Sequence, residues 1–468
     1  MPVKITVNNG RRDHSNDPSL TDMFQQSAEK RNQQSVKISV KKTVKEPLKK
    51  AVKKKSSKKV AVTISQHIEN QKWLLDPWVL LISITIISLG IIMVGSASIS
   101  IAERNNGEPF YYLYRQLIAA GLGLGIGTAV LFTPMKFWQS IGPIILLIGL
   151  MLLIAVLIPG IGREINGSSR WIPMGVFNLQ VSELIKLAMV IYLAGYMVRH
   201  NENVRKTIKG FFMPMMVLAG VAVLLLLEPD LGVTVVISAT ALGMLFLGGV
   251  RLWQFIILIL LLAFCFYWLI VLEPYRMERL QSFMNPWADP FDSGFQLTQS
   301  LIAFGRGELT GVGLGNSIQK LFYLPEGHTD FLFAVLAEEL GAVGAISVIA
   351  LFSALVSRIF VLARKADLAK QTFSAYVMFG LAIWIGLQAF VNIAVNMGVL
   401  PTKGLTLPMM SYGGSSMMIM CVVIALVLRA EHETRFKYPL GSFIWDKKNW
   451  QHARTLHVKS QLKSRMAF

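Results

Sequence analysis

The feature that most constrains this chain is the alternation of ten uncharged, apolar stretches with polar connections. They run 77–102, 116–135, 137–162, 187–198, 210–227, 231–250, 252–272, 340–357, 371–402 and 404–428. Most exceed the roughly 18 residues that suggest a helix crossing a bilayer. The 187–198 run becomes a full span when extended back over 182–186, which sets Glu183 and Lys186 at one end. The 340–357 run extends back toward Asp330. The expected fold is an all-α polytopic membrane protein of about ten transmembrane helices. Its large extracytoplasmic loop, 273–330, lies between helices 7 and 8. A water-soluble fold has no place to hide a chain that is 53% hydrophobic and 16% charged.

The net charge of +19 resembles a nucleic-acid signal, but its distribution argues against one. Residues 1–72 hold 17 Lys/Arg against 6 Asp/Glu, and no basic stripe interleaved with aromatics follows. Three segments are expected: a disordered basic tail over 1–72, a membrane domain over 73–430, and a second basic tail over 431–468. The lysine tract at 49–59 reads as a solvated, topology-fixing tail that touches anionic headgroups, or else as a docking site for a protein partner. Ten spans put both tails on one side, and their basicity places them in the cytoplasm. The outward loops nonetheless carry ten basic residues: Arg104, Arg115, Arg163, Arg170, Lys186, Arg276, Arg279, Arg306, Lys320 and Lys403. Cations held outside oppose the usual charge bias, so several are expected to serve a function there.

The 273–330 loop carries the richest chemistry. Its Pro and Gly punctuation excludes one long helix. Residues 295–304 have apolar positions at helical spacing, with Gln296, Gln299 and Ser300 on another face, which predicts an interfacial amphipathic helix. Asp289 precedes Pro290, which biases it toward an extended backbone and lets its carboxylate project from a turn. It reads either as a turn residue paired with Arg276, Arg279 or Arg306, or as a carboxylate that takes a proton or holds a metal. The Gly-rich run 305–315 reads as a flexible return loop or as an amide nest for phosphate. His328, Thr329 and Asp330 stand where the chain re-enters the membrane, where Thr329 or Asp330 would N-cap the next helix. Glu338 and Glu339 follow inside that helix, and ionisable groups there are functional candidates by default. Arg163 and Arg170 lie in a turn-forming stretch. Glu183 and Lys186 are spaced to pair, either as a brace or as a cavity lining. The 228–232 segment reads as a charged hairpin, and 411–416, starting at Ser411, as a close-packed or broken helix start. These groups suit an anionic, membrane-embedded substrate. They leave an enzyme and a transporter both open.

Six stretches are distinctive together: Asn166-Gly167-Ser168-Ser169-Arg170-Trp171, Glu228-Pro229-Asp230-Leu231-Gly232, Asn285-Pro286-Trp287-Ala288-Asp289-Pro290, Gly294-Phe295-Gln296-Leu297, Pro325-Glu326-Gly327-His328-Thr329-Asp330 and Pro401-Thr402-Lys403-Gly404. Jointly they resemble the SEDS family of bacterial cell-wall proteins, its cell-division branch more than its elongation branch. The likeness covers roughly 75–430. It implies a peptidoglycan glycosyltransferase that polymerises lipid II on the outer face of the cytoplasmic membrane at the division septum. The implied partners are a class B penicillin-binding protein and other divisome proteins, with no nucleic acid. Asp289 takes the place of the family's proposed catalytic carboxylate. Arg163, Arg170, Glu183, Lys186, Arg276, Arg279, Arg306, His328, Asp330, Lys403 and Ser411 are the candidate substrate-binding residues. A divalent metal, Mg or Mn, is an open option, with Asp289 and Asp292 as donors. The chain departs from the family pattern at Asp292, where Gly is usual, at Val181, where Pro is usual, and at Met409 or Met410, where a bulkier aromatic stands. A lipid II flippase and a divisome scaffold are the alternatives.

Overall fold

A computed structural model of the chain describes residues 75–436, apart from 166–167, 174–177, 251, 273–276, 278–282, 293 and 402–403. The tail expectations therefore lie outside the described residues, as do Arg276, Arg279 and Lys403.

Among the described residues, ten longer helices lie roughly where the apolar runs were expected, with shorter elements between them. In chain order they are α1 (Pro77–Asn106), α2 (Tyr111–Phe132), α3 (Met135–Leu157), α4 (Val181–Arg199), the short α5 (Asn201–Lys206), α6 (Ile208–Leu227), α7 (Leu231–Leu247), α8 (Leu252–Val271), α9 (Phe295–Gly307), α10 (Leu332–Leu368), α11 (Thr372–Asn396) and α12 (Gly414–Arg435). Among the described residues, eight helices are long and apolar enough to cross a membrane. Of the ten expected spans, α7 is shorter, at 17 residues, and α8 has 20 residues without a charge. Lipid offers no water to satisfy backbone amides, so uncharged runs of this length become helices. Asp76 starts α1 by accepting from the Val79 amide at 3.0 Å, with Pro77 at the first helical position.

Central helices α4, α11 and α12 bury most of their side chains. By contrast, α3 turns Ile144, Leu147, Ile148, Met151 and Ile154 outward, as lipid exposure requires. Asp76 at the start of α1 meets Arg358 of α10 at 2.6 Å and Arg435 of α12 at 3.9 Å, at what we call the tail end. The opposite, loop end carries the sheet, the 283–330 segment and the 404–413 segment.

Two expectations need correction there. The all-α reading misses a three-stranded antiparallel sheet, β1 (Arg163–Ile165), β2 (Ser168–Pro173) and β3 (Asn178–Gln180). Trp171 pairs with Arg163 on one side and Gln180 on the other. The apolar run 404–428 is not one span. Residues 404–413 are non-helical, and α12 begins only at Gly414. Pro408 and Gly413 interrupt the helix, while Leu405, Leu407, Met409 and Met410 are buried, so the segment looks like a span by composition alone. Helix side chains satisfy its backbone. Asn392 donates to the Leu405 carbonyl at 2.6 Å, Gln388 to that of Thr406 at 3.0 Å, and Gln116 to that of Ser411 at 3.2 Å. Irregular backbone at membrane depth is tolerated only with such partners.

Candidate functional site

Asp289 sits on a tight turn at the start of α9 and is exposed, as is Asp292. The turn is tied to the helix. The Gly294 amide donates to the Asp289 carbonyl at 3.1 Å, and the Phe295 amide to that of Asp292 at 3.1 Å. Thr298 donates its hydroxyl to the Pro286 carbonyl at 3.2 Å. A Cβ at Gly294 would stand 2.5 Å from the Pro286 carbonyl oxygen and 2.7 Å from that of Asp289, so only glycine lets the turn close. The turn that carries Asp289 thus runs directly into the N-terminus of α9.

The 295–304 prediction of a helix is met, but Ser300 belongs to its buried side and donates to the Asn396 carbonyl at 2.7 Å. Asn396 also donates to the Asp330 carbonyl at 3.0 Å and accepts from the Ala334 amide at 3.1 Å. It joins α9, α10 and α11 at one point. The helix start at Ala334 is thereby capped from α11, and Thr329 instead donates to Glu326 at 2.6 Å, so the N-cap reading of 329–330 fails.

The first three residues of the Gly-rich run close α9, and the rest is a return loop whose Gly311, Val312 and Gly313 amides donate to backbone carbonyls. Helix α10 breaks at Gly341, whose φ is 67°. The broken turn leaves carbonyls that the loop satisfies. Val312 and Gly313 amides donate to the Glu338 and Glu339 carbonyls, both at 3.0 Å. In return, Ala342 and Val343 amides donate to the Glu308 and Leu309 carbonyls at 2.9 and 3.2 Å. The two buried carboxylates hold the same loop. Glu338 accepts from Arg306 at 2.6 Å, from Ser317, and from the Ile318 and Gln319 amides at 3.1 and 3.3 Å. Glu339 accepts from Ser96 at 2.7 Å and from Lys320 at 3.1 Å.

In the bundle, Lys186 is 1% exposed and donates to Glu183 at 2.9 Å and to Gln388 at 2.7 Å. Its ammonium lies 5.0 Å from the Trp384 ring centre. Ser411 is buried and accepts from the Leu407 amide at 2.9 Å. His328 is buried against Tyr112 and Tyr412, with ring centres 4.7 and 5.6 Å away, and burial pushes its pKa down.

Arg170 of β2 reaches the α6–α7 turn, donating to the Glu228 and Pro229 carbonyls at 3.1 and 2.8 Å. Asp230 caps α7 through the Val233 amide at 3.2 Å, so the 228–232 segment is more than a hairpin. Both Glu228 carboxylate oxygens are buried without a hydrogen-bond partner. Burial first, and then Asp230, push the Glu228 pKa up to about 8, against the pull of Arg170. Burial, Glu326 and Asp230 raise that of Asp330 to about 7.

The structure thus brings Arg170 and Asp330 into one electrostatic cluster and Glu183 and Lys186 into another. It keeps Arg163 exposed on β1 and commits Arg306 to Glu338. Sequence reasoning did not single out Gln116, Gln388, Asn392 or Asn396, which lie inside uncharged runs and carry no charge signal. Among the described residues no three His, Cys, Asp or Glu side chains converge as a metal-holding group. Asp289 and Asp292 are both exposed and three residues apart in sequence, and carboxylate oxygen is the donor type that Mg²⁺ takes.

The FtsW/RodA/SpoVE family, described as cell cycle protein, matches residues 77–436. A relative from Nitrosococcus halophilus, named probable peptidoglycan glycosyltransferase FtsW, is 58% identical over 361 residues, covering 77% of this chain and 93% of its own. One of the same name from Coxiella burnetii is 52% identical over 363 residues, covering 78% and 98%. A solved structure described as structural coordination of polymerization and crosslinking by a peptidoglycan synthase complex aligns with a TM-score of 0.65 at 29% identity, covering 78% of this chain and all of that one. The rod shape determining protein RodA of Thermus thermophilus aligns with a TM-score of 0.58 at 28% identity and the same coverage.

Proposed function

We propose a peptidoglycan glycosyltransferase acting in cell division, from the premise that this chain belongs to the FtsW/RodA/SpoVE family of cell cycle proteins. The observation that carries the catalytic reading is Asp289, an exposed carboxylate fixed by glycine packing at the head of α9. The substrate in this reading is lipid II, and the partner is a class B penicillin-binding protein with other divisome proteins around it. The site faces outward from the inner membrane at the septum, with both tails in the cytoplasm.

The donor carries its own leaving group, a lipid pyrophosphate, so no general acid is needed. Asp289 accepts the proton of the acceptor hydroxyl or orients it. The oxygen forms a bond to the donor anomeric carbon as the bond to pyrophosphate breaks, and the electron pair leaves with the phosphate. Attack from the opposite face inverts an α-linked donor to a β-linked polymer. Arg163, and Arg276, Arg279 and Lys403 beyond the described residues, are the cations proposed to steady the departing charge. Mg²⁺ or Mn²⁺ held by Asp289 and Asp292 would supply the same neutralisation.

The test is polymerisation by the full-length protein with its partner in detergent, where no bilayer exists to flip across. Asp289→Asn is expected to lower the rate by about 10²–10⁴-fold. Full activity in that variant would end the catalytic assignment. A wild-type protein that moves lipid II in vesicles yet never polymerises it would favour the flippase.

A further inference from the structure

We infer that Glu338 is a positioning residue for Asp289, acting through α9. This rests on the catalytic reading of Asp289. Helix α9 has 13 residues, about 20 Å of rigid rod. One end carries the Asp289 turn. The other ends in Arg306, whose guanidinium meets the fully buried Glu338 carboxylate at 2.6 Å. Glu338 uses both oxygens at once. Oε1 takes Arg306 and the Ile318 amide, and Oε2 takes Ser317 and the Gln319 amide. It therefore joins α9, the return loop and the first half of α10 through one side chain.

Backbone packing supports the same clamp. A Cβ at Gly307 would stand 2.0 Å from the Ala337 carbonyl oxygen, so the last turn of α9 lies directly on the turn that carries Glu338. Ser300, midway along, is tied to α11. The rod is thus fixed at its middle and far end, while the near end presents Asp289. A small pivot at Arg306 becomes a displacement of the carboxylate, and a misplacement of about 1 Å costs on the order of 10²-fold in rate.

Glu338→Gln keeps the side-chain shape. Its amide offers one acceptor and one NH₂, so it cannot accept from Arg306 and from the Gln319 amide on both sides together. The expected result is a kcat lower by about 10²-fold with the lipid II KM within about twofold. Glu338→Asp recovers part of the loss, and Arg306→Lys shifts the same constants less. The readout independent of activity is a spin-label distance between Phe291→Cys and Leu117→Cys, in the full-length protein with Cys265 and Cys421 replaced by Ala. The distribution is expected to broaden in Glu338→Gln. A distribution as narrow as in the wild type overturns the inference, whatever the rate. If the distance broadens while Asp289→Asn still polymerises at full rate, the clamp stands and the catalytic reading falls. If Asp289→Asn is inactive and Glu338→Gln keeps the wild-type kcat, the clamp falls alone.

Discussion

Two kinds of charged residue occur in this protein, and their surroundings separate them. Asp289 and Asp292 are exposed on a glycine-closed turn, whereas Glu183, Lys186, Glu338 and Glu339 are buried. A buried ion pair is costly to break from one side, because the remaining charge is left without compensation. Lys186→Met is accordingly expected to destabilise the protein by about 3–5 kcal/mol. The double variant with Glu183→Gln should recover most of that loss. Thermal unfolding in detergent measures both. Asp289 is singled out as a candidate by the family resemblance of the motif around it, whereas Pro290 alone also fits a turn residue paired with an arginine. The roles of Asn392 and Asn396 are not legible in the sequence. They are uncharged amides inside an apolar run, and only the fold reveals that they satisfy the backbone of 330 and 405.

At the scale of elements, the site depends on glycines that let backbones touch. A Cβ at Gly341 would stand 2.4 Å from the Gly311 nitrogen, and its φ of 67° already disfavours a side chain. Gly341→Ala is expected to cost more than about 1 kcal/mol and to lower the yield of folded protein, measured by fluorescence-detected gel filtration. Gly294→Ala should leave the bundle intact, since it touches only the turn. It is expected to reduce polymerisation strongly while changing the unfolding temperature little. Periodicity revealed α9 because its apolar positions recur at helical spacing. It could not reveal the break at Gly341, since glycine within an apolar run reads equally as continuous helix. The 404–413 segment misled for a related reason: burial within protein and burial in lipid select the same side chains.

At the scale of the molecule, most of the apolar helices among the described residues were legible because lipid imposes length and hydropathy together, and the sheet was not, because three short strands carry little pattern of their own. The loop end also concentrates acid. Glu228 and Asp330 are pushed up to about 8 and about 7, so the folded protein holds protons there that the unfolded chain releases nearer the ordinary carboxylate range. The folded state binds more protons between those values, so stability falls as pH rises from about 5 to about 8, by at most about 1.4 kcal/mol per pH unit per group. Glu228→Gln is expected to flatten part of that slope, read as unfolding temperature against pH.

The break in α10 has a consequence for biosynthesis. The amides at 312–313 leave the ribosome before the carbonyls at 338–339 that they complete. The donors are already waiting when the broken turn emerges. A version with the return loop shortened would hand an open helix end to the bilayer, so such a chain should be caught at the insertion machinery or degraded rather than accumulate in the membrane as an inactive enzyme.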